Sequence, residues 1–288
     1  MKQRLELQVK PQENKKRLED FLLDRFRGLS KIYLRDVVKG AECEVNGRNE
    51  NIGHRLRPND FIEIELDQTR ENSMVPQDIP LDIIFEDEHL IVVNKPIGML
   101  VHPSHRDKTG TLLNALAFHV NRPGIDPHIR PGLIHRLDKD TSGLIVAAKT
   151  PRTHRILATH FEKKLVEKRY LALVDGLVAD EGGIITGAIG RYVEEKRWGL
   201  KEDGREAETR FRVRERMADT TLLELEPVTG RTNQLRIHCE TIGHPIVGDI
   251  SRGGSYFERL CLHAHKLSFI HPATRERIEF ESAASFGL

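Results

Sequence analysis

The sequence predicts an α+β protein whose larger part is built on a largely antiparallel mixed sheet, preceded by a small α+β module. Three observations carry this reading. Strand-like runs dominate after residue 170, the helices are too few for a regular βαβ alternation, and an acidic, proline-containing stretch over residues 67–80 divides the chain. At 288 residues the chain can bury one sizeable core and a small one. The expected boundaries are 1–66 for the first module, 67–80 for a linker and 81–288 for the larger domain.

In the first module Leu18, Phe21, Leu22 and Phe26 recur at helical spacing, and Ser30 is placed to cap a second helix through Leu34, Val37 and Val38 that Gly40 ends. Cys43 and Val45 then alternate with acids into the tight-turn pair Asn46-Gly47, and Phe61, Ile62, Ile64 and Leu66 form a closing strand. In the larger domain, residues 83–85 and 90–93 flank the polar tip Glu86-Asp87-Glu88 as a hairpin, and Asn94-Lys95-Pro96 ends its second strand. Residues 109–120 read as a helix, and Thr150 with Pro151 caps and opens another that runs to about residue 164. Strands are expected over 170–174, 184–189, 209–213, 221–225, 260–265 and 277–280.

Hydrophobic residues at 38% and charged residues at 31% describe an ordinary soluble chain. No apolar run approaches the roughly 20 residues a membrane span needs, and the N-terminus lacks the apolar segment of a signal peptide, so a cytoplasmic location and no membrane partner are expected. Cys43, Cys239 and Cys261 show no paired spacing, which argues against a disulfide framework. The net charge of +1 points to no partner, but its distribution does. Residues 122–170 carry 11 Lys and Arg against 5 Asp and Glu, residues 15–39 carry 8 against 4, and residues 67–90 carry 7 acids and one Arg. Basic segments on either side of an acidic connector suit a polyanion held in two places.

The most informative stretch, residues 135–144, reads HRLDKDTSGL. Pro131 and Gly132 interrupt regular structure upstream, and Gly143 opens the apolar run 144–148, which reads as a buried strand. Asp138 therefore lies on a loop feeding the core, where it can be held from one side and meet a substrate from the other. That is what nucleophilic or acid-base work by a carboxylate needs. The chain has no GxGxxG run, no Walker loop and no paired CxxC, so neither a cofactor nor a metal is expected.

These ten residues closely resemble the signature motif of the RluA-type pseudouridine synthases, which isomerise uridine in RNA. EKRYLALVDG at 167–176, LEPVTGRTNQLRIH at 225–238, GHPIVGD at 243–249 and LCLHAHKLSFIHP at 260–272 follow in the family's order. The resemblance implies a pseudouridine synthase catalytic fold with a central cleft, and an isomerase acting on RNA with Asp138 as its essential residue. Large-subunit ribosomal RNA is the expected target, with transfer RNA as the alternative. It further implies that Tyr170 lies against the target base, that Leu235 is an apolar active-site position, and that Arg231 is the arginine that pairs with the aspartate. A countercharge is required on physical grounds, because desolvation otherwise protonates a buried carboxylate. His135, Arg136 and Lys168 are expected substrate contacts. Asn233 stands where the family usually has His, which touches RNA contacts more than chemistry.

The stretch from about residue 14 to 66 resembles an S4 domain, a compact RNA-binding module, through its basic helices, the Lys39-Gly40 helix end, VNG at 45–47 and the Pro58-Asn59-Asp60 turn. Arg17, Lys31, Arg35, Lys39 and Arg48 are the RNA contacts this implies. Lys31 follows Ser30 where Arg is usual, keeping charge but losing a bidentate donor. A monomer is expected. Two rivals need stating. His238-Cys239-Glu240 with Cys261, His263 and His265 hints at a zinc deaminase, but the P-C-x-x-C element is missing. A non-catalytic S4-type RNA-binding protein is the other, which the intact Asp138, Tyr170 and Arg231 set argues against.

Overall fold

A computed structural model describes residues 2–26, 29–68, 75–104, 107–121, 131–284 and 286. The chain forms two compact units, one of Met1–Asp78 with Pro103–Thr109 and Ala117–Arg130, the other of Ile79–His102, Gly110–Leu116 and Pro131–Leu288. The middle of the expected linker, residues 69–74, lies outside the described residues.

The first unit runs β1 (Gln3–Gln8), α1 (Leu18–Arg25), α2 (Lys31–Lys39), β2 (Cys43–Val45) and β3 (Phe61–Leu66), with an antiparallel sheet in the order β1-β3-β2. Ser30 caps α2 by accepting from the Tyr33 N–H at 3.1 Å, and Gly40 closes it. Asn46 and Gly47 both take positive φ, as a tight hairpin turn requires, and the Asn46 Oδ1 accepts from the Phe61 N–H at 2.8 Å. Strand β1 was not anticipated. Only Leu5 and Leu7 mark its inner face, and both are half-buried, so its alternation is short and diluted by charge.

After the linker the chain runs β4 (Asp82–Glu86), β5 (Leu90–Lys95), α3 (Leu112–Val120), β6 (Gly132–Leu133), β7 (Ser142–Ala148), α4 (Pro151–Glu162), β8 (Glu167–Asp175), β9 (Gly182–Tyr192), β10 (Arg197–Leu200), β11 (Arg205–Arg216), β12 (Thr220–Pro227), α5 (Gln234–Thr241), β13 (Leu262–Ile270) and β14 (Arg277–Glu281). These strands form one sheet in the order β10-β9-β11-β12-β8-β13-β7-β5-β4, with β14 on β13 and β6 on β7. Every described pairing is antiparallel except β13 with β7, which is the largely antiparallel mixed sheet the sequence predicts.

All seven positions of β7 are buried, so both of its faces must be covered. Ile145 and Ala147 pack with Ile91 and Val93 against Leu112 and Leu116 of α3, while Leu144 and Val146 pack with Leu90 and Val92 against Leu157 of α4. Gly143 has φ +114, and a Cβ there would meet the Ala264 carbonyl oxygen at 2.3 Å. Only glycine allows β13 to come alongside at this point, and the loop carrying Asp138 is thereby delivered to the centre of the sheet. Strand β10 escaped the sequence reading because four residues including Gly199, on a sheet edge, carry no alternation.

Candidate active site

The HRLDKDTSGL loop is anchored residue by residue. Leu137 is buried in the core beneath α3, which turns its neighbours outward. The His135 ring stacks on Phe161 with centroids 4.7 Å apart, and its Nε2 accepts from the Val146 N–H at 3.2 Å. Burial, with the nearby Lys168 charge, pushes this imidazole down to about 3, so it is a neutral anchor at physiological pH. The Thr141 N–H closes a turn on the Asp138 carbonyl at 3.2 Å. From below, the Lys95 ammonium, 0% exposed as a residue, donates to the carbonyls of Pro96 at 2.8 Å, Met99 at 2.9 Å and Lys139 at 3.0 Å. Burial brings Lys95 down to about 8 against the opposing pull of Asp140 and Asp138.

Asp138 opens into a cavity of about 810 Å³ that is also lined by Tyr170, Leu235, Arg236, Asn233 and Arg231. A volume in this range suits a bound small molecule or one extruded nucleotide. Burial raises the Asp138 carboxyl above the ordinary range, opposed by the charges of Arg236, Arg136 and Lys95 in that order. Tyr170 is presented by β8, packed between the two halves of the core; burial and the Asp138 charge push its phenol up, so it stays neutral. Leu235, 7% exposed, supplies an apolar wall.

The arginine whose charge acts most on Asp138 is Arg236, where the sequence pointed to Arg231. The Arg231 Nε donates to the Glu206 carbonyl at 3.0 Å, which lays its side chain along the edge of β11. Arg236, five residues further on in the first turn of α5, is gripped bidentately by Asp249, Nε to Oδ2 at 2.6 Å and a terminal nitrogen to Oδ1 at 2.7 Å, with Ser251 Oγ at 3.0 Å. Although burial works against its charge, these bonds and the pull of Asp138 and Asp140 hold the guanidinium firmly protonated. Asp249, 3% exposed, is in turn held below the carboxylate range by Arg236 despite burial. The second arginine of GRTNQLR stands at the third position after the left-handed Asn233, in the first turn of α5, where helical side chains lean back toward the helix N-terminus.

Three further residues position this pair. Buried Gln234 uses all its capacity: its Oε1 accepts from Thr229 Oγ1 at 2.7 Å and the Arg231 N–H at 3.0 Å, while its Nε2 donates to the Glu208 carbonyl at 2.9 Å and Thr209 Oγ1 at 3.0 Å. Asn233 takes φ +55, a conformation Asn tolerates better than most residues, and its Oδ1 lies 3.5 Å from Arg236. Ser142 Oγ accepts from Arg259 at 2.7 Å and lies 2.8 Å from His263 Nδ1, pinning the loop's exit. Arg136 and Lys168 line the same cavity; Arg136 is exposed, and burial lowers the pKa of Lys168. Of the deaminase constellation, His238 bonds Thr209 Oγ1 at 2.9 Å, Cys239 and Cys261 are core residues, and no three metal-ligating side chains cluster among the described residues.

Comparison with known proteins agrees with this geometry. The profile of the RNA pseudouridylate synthase family matches residues 89–241. An uncharacterised RNA pseudouridine synthase of Bacillus subtilis is 36% identical, covering 96% of this chain and 93% of the relative. A protein of Zymomonas mobilis named ribosomal large subunit pseudouridine synthase D is 36% identical over 92% and 89%. The solved human RNA pseudouridylate synthase domain containing 1 superposes with a TM-score of 0.60 at 28% identity, covering 72% of this chain and 84% of that one. A loop aspartate, a half-buried tyrosine and a clamped arginine line one cavity, and on a chain with these relatives they place the protein in the RNA pseudouridylate synthase family.

Proposed function

We propose that the protein converts specific uridines of large-subunit ribosomal RNA to pseudouridine, with Asp138 as the essential carboxylate. The carrying observation is that Asp138 and Tyr170 line one cavity with a fixed guanidinium, Arg236, acting on the carboxylate. The ribosomal target is supported by relatives named ribosomal large subunit pseudouridine synthase D, each 36% identical, in Zymomonas mobilis and Pseudomonas aeruginosa.

The reaction breaks the ribose C1′–N1 bond, turns the freed uracil and joins C1′ to C5; N1 gains a proton and C5 loses one, with no oxidation. Asp138 can attack C1′, attack C6 of the base, or take a ribose proton so that a glycal forms. In each route the carboxylate must be ionised when the nucleotide enters, and Arg236 supplies the charge that favours this. Tyr170 offers a neutral ring face to the base, Leu235 excludes water, and the exposed Arg136 is placed to hold the gap or the backbone when the target leaves its stack. No cofactor is required by this bond accounting. The first unit serves as an S4-like RNA-binding module over 1–66, joined to the catalytic domain 81–288. The enzyme works as a cytoplasmic monomer; among the described residues no helix is long and apolar enough to cross a membrane.

Mapping pseudouridines in ribosomal and transfer RNA from cells with and without the gene tests the target. Loss of specific sites in large-subunit RNA is expected; loss only in transfer RNA overturns the ribosomal assignment. A primary isotope effect with uridine deuterated at C2′ selects proton abstraction over direct attack.

A further inference from the structure

The cavity wall holds more cationic charge than the chemistry uses. Seven Lys and Arg line it against four Asp and Glu. On one flank, formed by the end of α4 and the start of β8, stand Lys164 and Lys168. On the other, formed by β11 and the loop into α5, stand Arg205, Arg210 and Arg231. Of the acids, Glu167 pairs with Arg277 at 2.7 Å and Arg169 at 2.8 Å, while the exposed Arg210 stands between Glu208 at 3.7 Å and Glu226 at 3.8 Å, beyond hydrogen-bond distance of both.

Lys168 is the informative residue. Its ammonium has no carboxylate or carbonyl partner among the described residues; its one contact is the Phe161 ring, with the centroid 5.9 Å away. Removing a cation from water without an anion is costly, and a fold has no structural reason to do so on a cavity wall. Lys95 shows the ordinary solution, with three carbonyls on one ammonium. Arg205 across the cavity is exposed and likewise has no ion pair among the described residues. Arg231 uses only Nε internally and leaves the planar end of its guanidinium for other acceptors.

We infer that these two flanks are a phosphate clamp: Lys164 and Lys168 take the phosphodiester on one side of the extruded uridine, and Arg205, Arg210 and Arg231 take the one on the other. The inference rests on the pseudouridine synthase reading and deepens it by saying what holds the flipped nucleotide open. Extrusion costs a few kcal/mol, and two charge-assisted contacts on phosphates beside the target offset that cost where it arises. An anion beside Lys168 also favours its charged form, against the burial that lowers its pKa.

The test is a chemical double-mutant cycle. Substrate RNAs with a single uncharged methylphosphonate linkage, immediately 5′ or 3′ of the target uridine, are bound to full-length protein carrying Asp138→Asn to prevent turnover. Lys168→Met removes one flank; Arg205→Ala with Arg210→Ala removes the other, and being exposed these two changes leave the core untouched. Each is expected to weaken binding of the all-phosphate RNA about tenfold. Each should lose its effect on one methylphosphonate RNA only, the two flanks choosing different linkages. Equal losses on all three RNAs, or no loss on any, overturn the clamp. If Lys168→Met does not fold, the arginine pair alone decides, since it must still be silent on one linkage. Native protein that forms no pseudouridine refutes the enzymatic reading instead; native protein that converts its RNA while the cycles show no coupling refutes only the clamp.

Discussion

The cations of the first unit and those of the cavity wall are spent differently. In the first unit Lys31 and Arg35 both fold onto Glu19, Arg25 reaches Glu13 at 3.1 Å, and Lys16 pairs with Asp24. Of the five RNA contacts expected there, only Arg17, Lys39 and Arg48 are exposed without an ion pair among the described residues. In the cavity the half-buried Lys168 and exposed Arg205 have none among the described residues. A local excess of charge in sequence is therefore a poor measure of charge available to a ligand. What counts is whether the fold already supplies an acid, and four of the eight cations over residues 15–39 are answered at home.

The sharpest break in the comparison comes from the carboxylate at the cavity floor. Asp138→Asn keeps size and removes charge, and should cut conversion at least about a thousandfold while RNA binding stays within a few-fold. Single-turnover rates with labelled RNA, beside a filter-binding titration, separate the two. Residual conversion near the native rate would falsify the assignment of Asp138.

The two arginines of GRTNQLR come next, because they separate chemistry from grip within one loop. Arg236→Lys keeps a charge but cannot reproduce the bidentate fork on Asp249, so kcat should fall roughly a hundredfold with binding little changed. Arg231→Ala should instead weaken RNA binding by a few-fold and leave kcat near native. A larger kcat loss for Arg231 than for Arg236 reverses the assignment made from their partners.

That reversal shows how much of the site was legible in the sequence. Asp138, Tyr170 and Leu235, which line one cavity, stood out in the sequence because element type and neighbours constrain each: a loop between Gly132 and Gly143, the interior of β8, the inner face of a short helix. The sheet class was legible because buried strands such as β7 are continuous apolar runs. Arg231 and Arg236 could not be ranked, because their difference lies in which partner each meets across the fold, Glu206 on β11 or Asp249 beyond α5. Lys95 was hidden for the same reason. A lysine ending an apolar strand looks like a solvated tip until three carbonyls converge on it from segments as far apart as Pro96 and Lys139. Strands β1 and β10 were missed because edge strands need little apolar patterning.

Smaller effects are expected from the first unit, where the comparison divides residues that look alike in sequence. Replacing Arg17, Lys39 and Arg48 together by Ala should weaken RNA binding and flatten its salt dependence by up to about 2 in the slope of log K against log salt. Replacing Lys31 and Arg35 should change the slope less per charge removed, since Glu19 already screens them, and should lower thermal stability slightly through the unpaired Glu19, whose carboxyl these two cations hold below its usual range against the effect of burial. Equal slopes per charge for the two sets would mean that the ion pairs open freely when RNA arrives.

The least conspicuous consequence concerns stability rather than catalysis. Because burial raises the Asp138 pKa above its unfolded value of about 3.9, the folded protein holds this proton more tightly than the unfolded chain. Stability therefore falls as pH rises from about 3.9 through the raised value, and the cost persists above it. Asp138→Asn carries no such proton, so the variant should be the more stable protein at neutral pH. The difference should shrink on acidification and vanish below about pH 4. His135, His238 and His263, pushed down by burial to about 3, about 4 and about 4, act in the opposite sense. They remain neutral in the fold while the unfolded chain charges them, so both proteins lose stability as pH falls below about 6.5. Only the gap between the two melting curves isolates the aspartate, at roughly 2–4 °C per kcal/mol relieved. A variant that melts below the native protein at pH 7 would mean that Arg236, Arg136 and Lys95 outweigh desolvation, and that the carboxylate is stabilised by its site rather than strained within it.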